Sequence, residues 1–176
     1  MEGVVFHIRN EHGKQLYDIM KGIVDPSWYW SIVPQESHYS SGNSLYDFRS
    51  LLFSESETMM DGQTFMKHIS KEDYYLLFAD MKAFPTLESV VSIDKEEDFM
   101  TSSCKLGLIV VDSVQVIVYS REKQMILDIS ERAESLGYND IRLLTNKDTV
   151  LVVWGWIDVV KESDLWWSNN KGRNNE

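Results

Sequence analysis

The chain predicts an α+β fold: a mainly antiparallel, mixed-edge sheet with three to four short helices. Three observations carry that reading. Residues 106–111 and 114–119 are apolar runs separated only by Asp112-Ser113, a hairpin pattern. A helical period follows at once, because Ile126, Ile129, Ala133 and Leu136 mark one stripe over residues 121–136. Residues 140–144 and 150–154 then flank Asn146-Lys147-Asp148 as a second hairpin. The order hairpin, helix, hairpin favours antiparallel neighbours.

The elements follow in order. Val4-Val5-Phe6-His7-Ile8 predicts a first strand. Asn10 is placed to cap a helix over 11–22, where Leu16, Ile19, Met20 and Ile23 recur at helical spacing. Asp25-Pro26 breaks the chain, and residues 28–33 are strand-like. Residues 34–43 form a polar loop with Ser40-Ser41-Gly42-Asn43 at its tip. Residues 46–53 are apolar but ambiguous, and 55–60 read as irregular. Asp61 caps a helix to about Ile69 that buries Phe65, Met66 and Ile69. Residues 74–79 are a strand that ends before Pro85, and 90–93 a short one. Asp94 with Glu97 resembles a capping box, opening a helix that ends near Thr101. Ser120 caps the helix over 121–136, and Gly137 suits its left-handed end.

Several strands are apolar on both faces. Leu106, Leu108 and Val110 alternate with Gly107, Ile109 and Val111, so neither side suits water. Such strands need two covers, either helices on both sides or a second subunit. A homodimer is therefore one expectation. Residues 1–156 read as a single domain, and 157–176 as a C-terminal helix or tail carrying Val160, Trp166 and Trp167.

Composition narrows the classes of function. The formal charge is −11, of which residues 1–103 hold −9, with 17 acids against 8 bases. Such a field repels phosphate-rich partners, so nucleic acid is not expected. No apolar run reaches membrane-spanning length, and the N-terminus lacks a signal-peptide pattern. Cys104 is the sole cysteine, which removes an internal disulfide. A cytoplasmic protein is expected.

Candidate chemistry is sparse. His7, His12, His38 and His68 show no metal-ligand spacing. Cys104 opens an apolar strand, the place of a structural thiol. No phosphate-binding glycine loop and no nucleophile elbow is present. No catalytic, cofactor-binding or metal residue is therefore assigned. The dense polar feature is acidic: Glu96, Glu97 and Asp98, with Asp94 and Glu88, are relieved only by Lys95. Trp28 and Trp30 share one strand face, and Trp166 and Trp167 stand beside a polar tail. Tryptophan favours binding hot spots.

Four strings carry a resemblance: Glu11-His12-Gly13, Met60-Asp61-Gly62, the run from Tyr74 to Asp80 with Lys82-Ala83-Phe84-Pro85, and Val110-Val111-Asp112-Ser113. Over about residues 1–155 the chain resembles a small family of uncharacterised proteins from spore-forming bacilli, catalogued as a domain of unknown function. The resemblance implies a bacterial cytosolic protein and no catalytic residue.

The resulting expectation is a non-catalytic interaction, regulatory or inhibitor-type module. Glu96, Glu97, Asp98, Trp28, Trp30, Trp166 and Trp167 would meet a protein partner, a basic one by charge. The alternative is a small-ligand binder or enzyme with a pocket near residues 28–45, using Glu36, His38 and Tyr39.

Overall fold

The computed structural model describes residues 1–33, 36–40, 48–54 and 56–158. Among these residues the strands are β1 (Glu2–His7), β2 (Tyr29–Val33), β3 (Ser37–Ser40), β4 (Phe48–Leu51) and β5 (Met59–Asp61). They continue with β6 (Tyr74–Leu76), β7 (Ala79–Phe84), β8 (Leu106–Val111), β9 (Gln115–Ser120) and β10 (Asn139–Leu144). The α-helices are α1 (Gln15–Met20), α2 (Gly62–Lys71), α3 (Glu96–Thr101), α4 (Lys123–Ser135) and α5 (Asn146–Thr149). Seven strands form one antiparallel sheet in the order β10-β1-β9-β8-β7-β2-β5, and β4-β3-β6 form a smaller one. The α+β expectation holds.

The two-faced strands are covered on both sides within one chain. Leu106, Leu108 and Val110 face a core built with Leu16 and Ile19 of α1, Phe65 and Ile69 of α2, and Ile126 and Ile129 of α4. Ile109 and Val111 face a second core with Val5, Ile117, Phe99 of α3, Val153 and Ile157. Burying each such side chain contributes about 1.5–3 kcal/mol, so the second face is a real part of the fold.

The turn between β8 and β9 carries Asp112 and Ser113 at φ 49° and 64°. It is one residue longer than predicted: Val111 pairs with Gln115, leaving Val114 in the connection. The helix after β9 begins at Lys123, with Ser120 holding its approach: Oγ accepts from Glu122 N at 3.0 Å and donates to Lys105 O at 2.7 Å. Its buried stripe is Met125, Ile126, Ile129 and Ala133, and Gly137 takes φ 71°. Asp61 caps α2 as expected, accepting from Thr64 N at 2.9 Å.

Other segments differ. α1 starts at Gln15, four residues later than predicted, because Gly13 exchanges hydrogen bonds with Tyr74 at 3.0 Å each way. Asn10 instead accepts from the Tyr75 hydroxyl at 2.8 Å. The predicted 74–79 strand divides between the two sheets, since the N–H groups of Leu77 and Phe78 both turn to Glu36 O. The loop predicted over 34–43 contains β3, and the irregular 55–60 segment ends in β5. Residues 90–93 form no strand and follow a 3-10 turn at Leu87–Ser89. The second hairpin does not form. β1 occupies the place beside β10, pairing Val4 with Leu143, and Val150–Trp154 winds as a π-helical turn beneath the second face.

Candidate functional site

The second face of the sheet carries the densest buried polar chemistry. Along β7, Ala79, Met81 and Ala83 face the first core, so Asp80 and Lys82 face the second. Their side chains are 5% and 7% exposed, and Lys82 Nζ donates to Asp80 Oδ1 at 2.5 Å and Oδ2 at 2.7 Å. Desolvating two charges costs several kcal/mol per ion, which close pairing offsets.

The register builds outward from this pair. Lys82 stands opposite Gly107, Gly107 opposite Tyr119, and Tyr119 opposite Gly3. The missing side chain at Gly107 lets the Tyr119 phenol lie across the strand: a Cβ there would stand 2.0 Å from Tyr119 Cζ. The Tyr119 hydroxyl is buried with no hydrogen-bond partner among the described residues. Burial first, then the Asp80 charge, pushes its phenol well above the ordinary range. Trp154 packs with its ring 6.0 Å from that of Tyr119, and its buried Nε1 also lacks a partner among the described residues. Cys104 closes the cluster, donating from Sγ to Leu106 O at 3.4 Å. Burial pushes the thiol up to about 12 against the pull of the Lys82 ammonium. At neutral pH it is a protonated core side chain rather than a thiolate nucleophile.

α3 covers this cluster. Phe99 meets Tyr119 edge-on at 5.0 Å, and the Arg121 guanidinium lies 5.6 Å above the Phe99 ring. Arg121 also donates to Met100 O at 3.3 Å and Cys104 O at 3.0 Å, tying the end of the helix to the start of β8. The outer side is acidic. Asp98 Oδ2 accepts from Asp94 N and Lys95 N, both at 3.0 Å, so the capping carboxylate is Asp98 and not Glu97. Glu97 is exposed and accepts from Lys95 Nζ at 2.9 Å, an interaction that raises the lysine pKa. Glu96 is half-buried in the first turn, and Met100 is 45% exposed at the helix end.

The predicted tryptophans separate from the acids. Trp30 is fully buried and stacks on Phe65 at 4.2 Å, and Trp28 is 8% exposed in the same core. Their side chains fill the first core and leave no indole face for a partner, a correction to their assignment as contact residues. Alternation along a strand says which residues share a face, and here that face packs on α2. Trp166 and Trp167 lie outside the described residues.

The residues of the alternative pocket join the small sheet. His38 is half-buried in β3, and burial lowers its pKa. The Tyr39 hydroxyl lies 3.1 Å from His68 Nε2, which donates to Leu52 O at 2.6 Å. His68 Nδ1 stands 3.9 Å from Glu57, whose carboxylate accepts from Ser54 N and Oγ and is held below its usual range by them. A shallow groove of ≈ 320 Å³ reaches the 28–45 region through Ser31 and Ile32 and is otherwise lined by Thr58, Met59, Val90, Val91 and Ser92. Glu36, His38 and Tyr39 do not line it.

Asp80 and Lys82 escape sequence reasoning when the strand is ended at residue 79. The available signal was Ala79-Asp80-Met81-Lys82-Ala83, a charge pair at the strand period between apolar neighbours. No described helix is long and apolar enough to cross a membrane.

Comparison with known proteins agrees with the sequence resemblance. The chain is 28% identical over 146 residues to the uncharacterized protein YncE of Bacillus subtilis (strain 168), covering 83% of this chain and 93% of that protein. No solved structure matches. Residues 1–151 match the model of a protein family of unknown function, DUF2691. With that match over most of its length, the chain belongs to the DUF2691 family.

Proposed function

We propose that this protein is a non-catalytic cytoplasmic binding module that docks a basic protein partner on the acidic surface of α3. The observation that supports the reading is the outer side of that helix. Exposed Asp94 and Glu97 and half-buried Glu96 and Asp98 stand beside Met100, an apolar side chain left 45% exposed. Acidic groups around an apolar contact suit a cationic, amphipathic segment: the charges speed encounter, and the methionine gives adaptable contact area. Arg121 and Phe99 make the surface firm by anchoring the helix to the sheet.

The test is a crosslinking capture from lysate of the protein's native host at low and moderate salt, read by mass spectrometry. The protein is compared with a Glu96→Lys/Glu97→Lys variant and with Glu131→Lys/Glu134→Lys, which makes the same charge change on exposed α4. A basic protein captured at low salt, lost with the α3 reversal and kept with the α4 reversal supports the reading. Equal loss with both reversals reduces the effect to net charge and overturns it. So does capture indifferent to salt and to both reversals.

A further inference from the structure

The cover on the second face of the sheet runs out towards β5, and the groove of ≈ 320 Å³ opens there. Trp30 and Ile32 point into the first core, so Ser31 and Val33 stand on the second face. Met59 is opposite Ser31 in the register and shares that face. Val33, Met59 and Val91 are all exposed apolar side chains, and the last two line the groove. Its volume is about ten waters' share of the liquid, enough for a few apolar side chains.

The segment 90–92 lines the groove with its backbone open. Val90 is extended at φ −68° and ψ 122°, and no helix, strand or turn interrupts 91–94. The backbone N–H and C=O groups of Val91 and Ser92 make no hydrogen bond among the described residues. An extended stretch with unpaired backbone and an exposed apolar side chain is a template for an added strand. Charge selects what is added. Ser92 Oγ donates to Asp94 Oδ2 and Asp94 N to Asp98 Oδ2, both at 3.0 Å, so the groove leads into the acidic surface of α3. Glu88 is exposed in the turn before Val90, and Lys95 is drawn to Glu97. A second copy of this chain would set acid against acid here, whereas a segment of opposite charge fits.

We propose that the groove takes an extended segment of a basic protein partner, with apolar and cationic residues in alternation, as a strand added beside Val91 and Ser92. Its apolar side chains rest on Met59 and Val91, and its cations face Glu88 and Asp94. The inference rests on the docking reading above for the charge of the partner. It adds the conformation of the bound segment and a contact surface beyond α3.

The experiment titrates ¹⁵N-labelled full-length protein with the capped peptide Lys-Val-Lys-Val-Lys-Val-Lys. The expected result is saturable shifts at the amides of Met59, Val91 and Ser92. Successive residues of a strand present their amides to opposite edges, so methylating the backbone nitrogens of the valines or of the lysines blocks one edge or the other. At least one of these peptides should bind about tenfold more weakly. Val91→Lys should also weaken binding by about tenfold. Leu143→Lys, the same charge change at the opposite end of the sheet, should leave it nearly unchanged; both positions are about half exposed and tolerate a lysine. Absence of saturable shifts at these amides, indifference to both methylations, or equal loss with Val91→Lys and Leu143→Lys overturns the proposal. So do shifts at Met59 and Val91 that depend on protein concentration without peptide, which would mean that a second copy covers the groove. The two readings separate cleanly. Peptide that misses the groove while the Glu96→Lys/Glu97→Lys variant loses its captured partner overturns this inference alone. Peptide that fills the groove while capture ignores that variant overturns docking on α3 alone.

Discussion

Tyr119 lies on Gly107 so closely that a Cβ on the glycine would meet the ring at 2.0 Å from Cζ and 2.4 Å from Cε1. The ring has no free direction of retreat, with Phe99 at 5.0 Å and Trp154 at 6.0 Å. Gly107→Ala should therefore destabilise the fold by on the order of 3 kcal/mol, at the upper end for overpacked cores. Urea unfolding measures it. A cost below about 1 kcal/mol would mean that the ring can move aside.

The Tyr119 hydroxyl gives the opposite sign. It is buried without a partner among the described residues, so removing it removes an unmet desolvation cost. Tyr119→Phe should be neutral or stabilising by up to about 1–2 kcal/mol. A loss larger than 1 kcal/mol would reveal a hydrogen bond to that oxygen.

The Asp80–Lys82 pair should behave as a unit. Asp80→Leu or Lys82→Met alone strands a charge at a site less than a tenth exposed and should cost about 3–5 kcal/mol. The double variant should recover most of that loss, because an apolar pair of similar volume needs no desolvation. A double-mutant cycle in thermal unfolding measures the coupling, and simple additivity of the two losses would contradict it.

Cys104 links stability to alkaline pH. Its thiol pKa is raised in the folded protein, to about 12 from an ordinary 9.0, so the neutral form is favoured by folding. That contribution is complete below pH 9 and is lost as pH rises from there towards 12, on the order of 4 kcal/mol over the range. The Tyr138 phenol, also raised to about 12, adds to the decline at its upper end. Unfolding free energy should fall above pH 9, and Cys104→Val should flatten the fall. Thiol labelling at pH 8 should follow global unfolding, and rapid labelling of the native protein would refute the buried, protonated state.

A smaller effect tests local structure. Asp61 accepts from Thr64 N at 2.9 Å and Thr64 Oγ1 at 2.6 Å, which lowers its pKa. Asp61→Ala should lower the unfolding temperature through the lost cap, read by thermal unfolding. The carboxylate stabilises above its unfolded pKa, and that contribution is lost as pH falls through the lower folded value.

Local patterns were legible where one period dominated. The 106–111 strand carries its two apolar faces as alternation predicts, and the stripe on α4 follows its helical spacing. The approach of α3 was legible too, although the capping carboxylate is Asp98, one residue beyond Glu97. What local sequence could not carry was competition between distant strands. Residues 150–154 have the composition of a strand, but β1 takes the position beside β10. The same blindness affected the sites. Asp80 and Lys82 matter because Gly107 and Tyr119 lie beside them in register. Trp28 and Trp30 were assigned to one face correctly, but only packing on Phe65 shows that this face is interior.

The insertion of β1 between β9 and β10 also sets an order of events during synthesis. Glu2–His7 emerges before either neighbour, yet Val4 meets Val118 on one side and Leu143 on the other. Neither edge of that strand can be satisfied until most of the chain has left the ribosome. An early, apolar segment must wait through translation for late partners, and closing those long loops slows folding. Nascent chains stalled before residue 139 would present that strand with one edge open, the form most exposed to misassembly and to capture by chaperones.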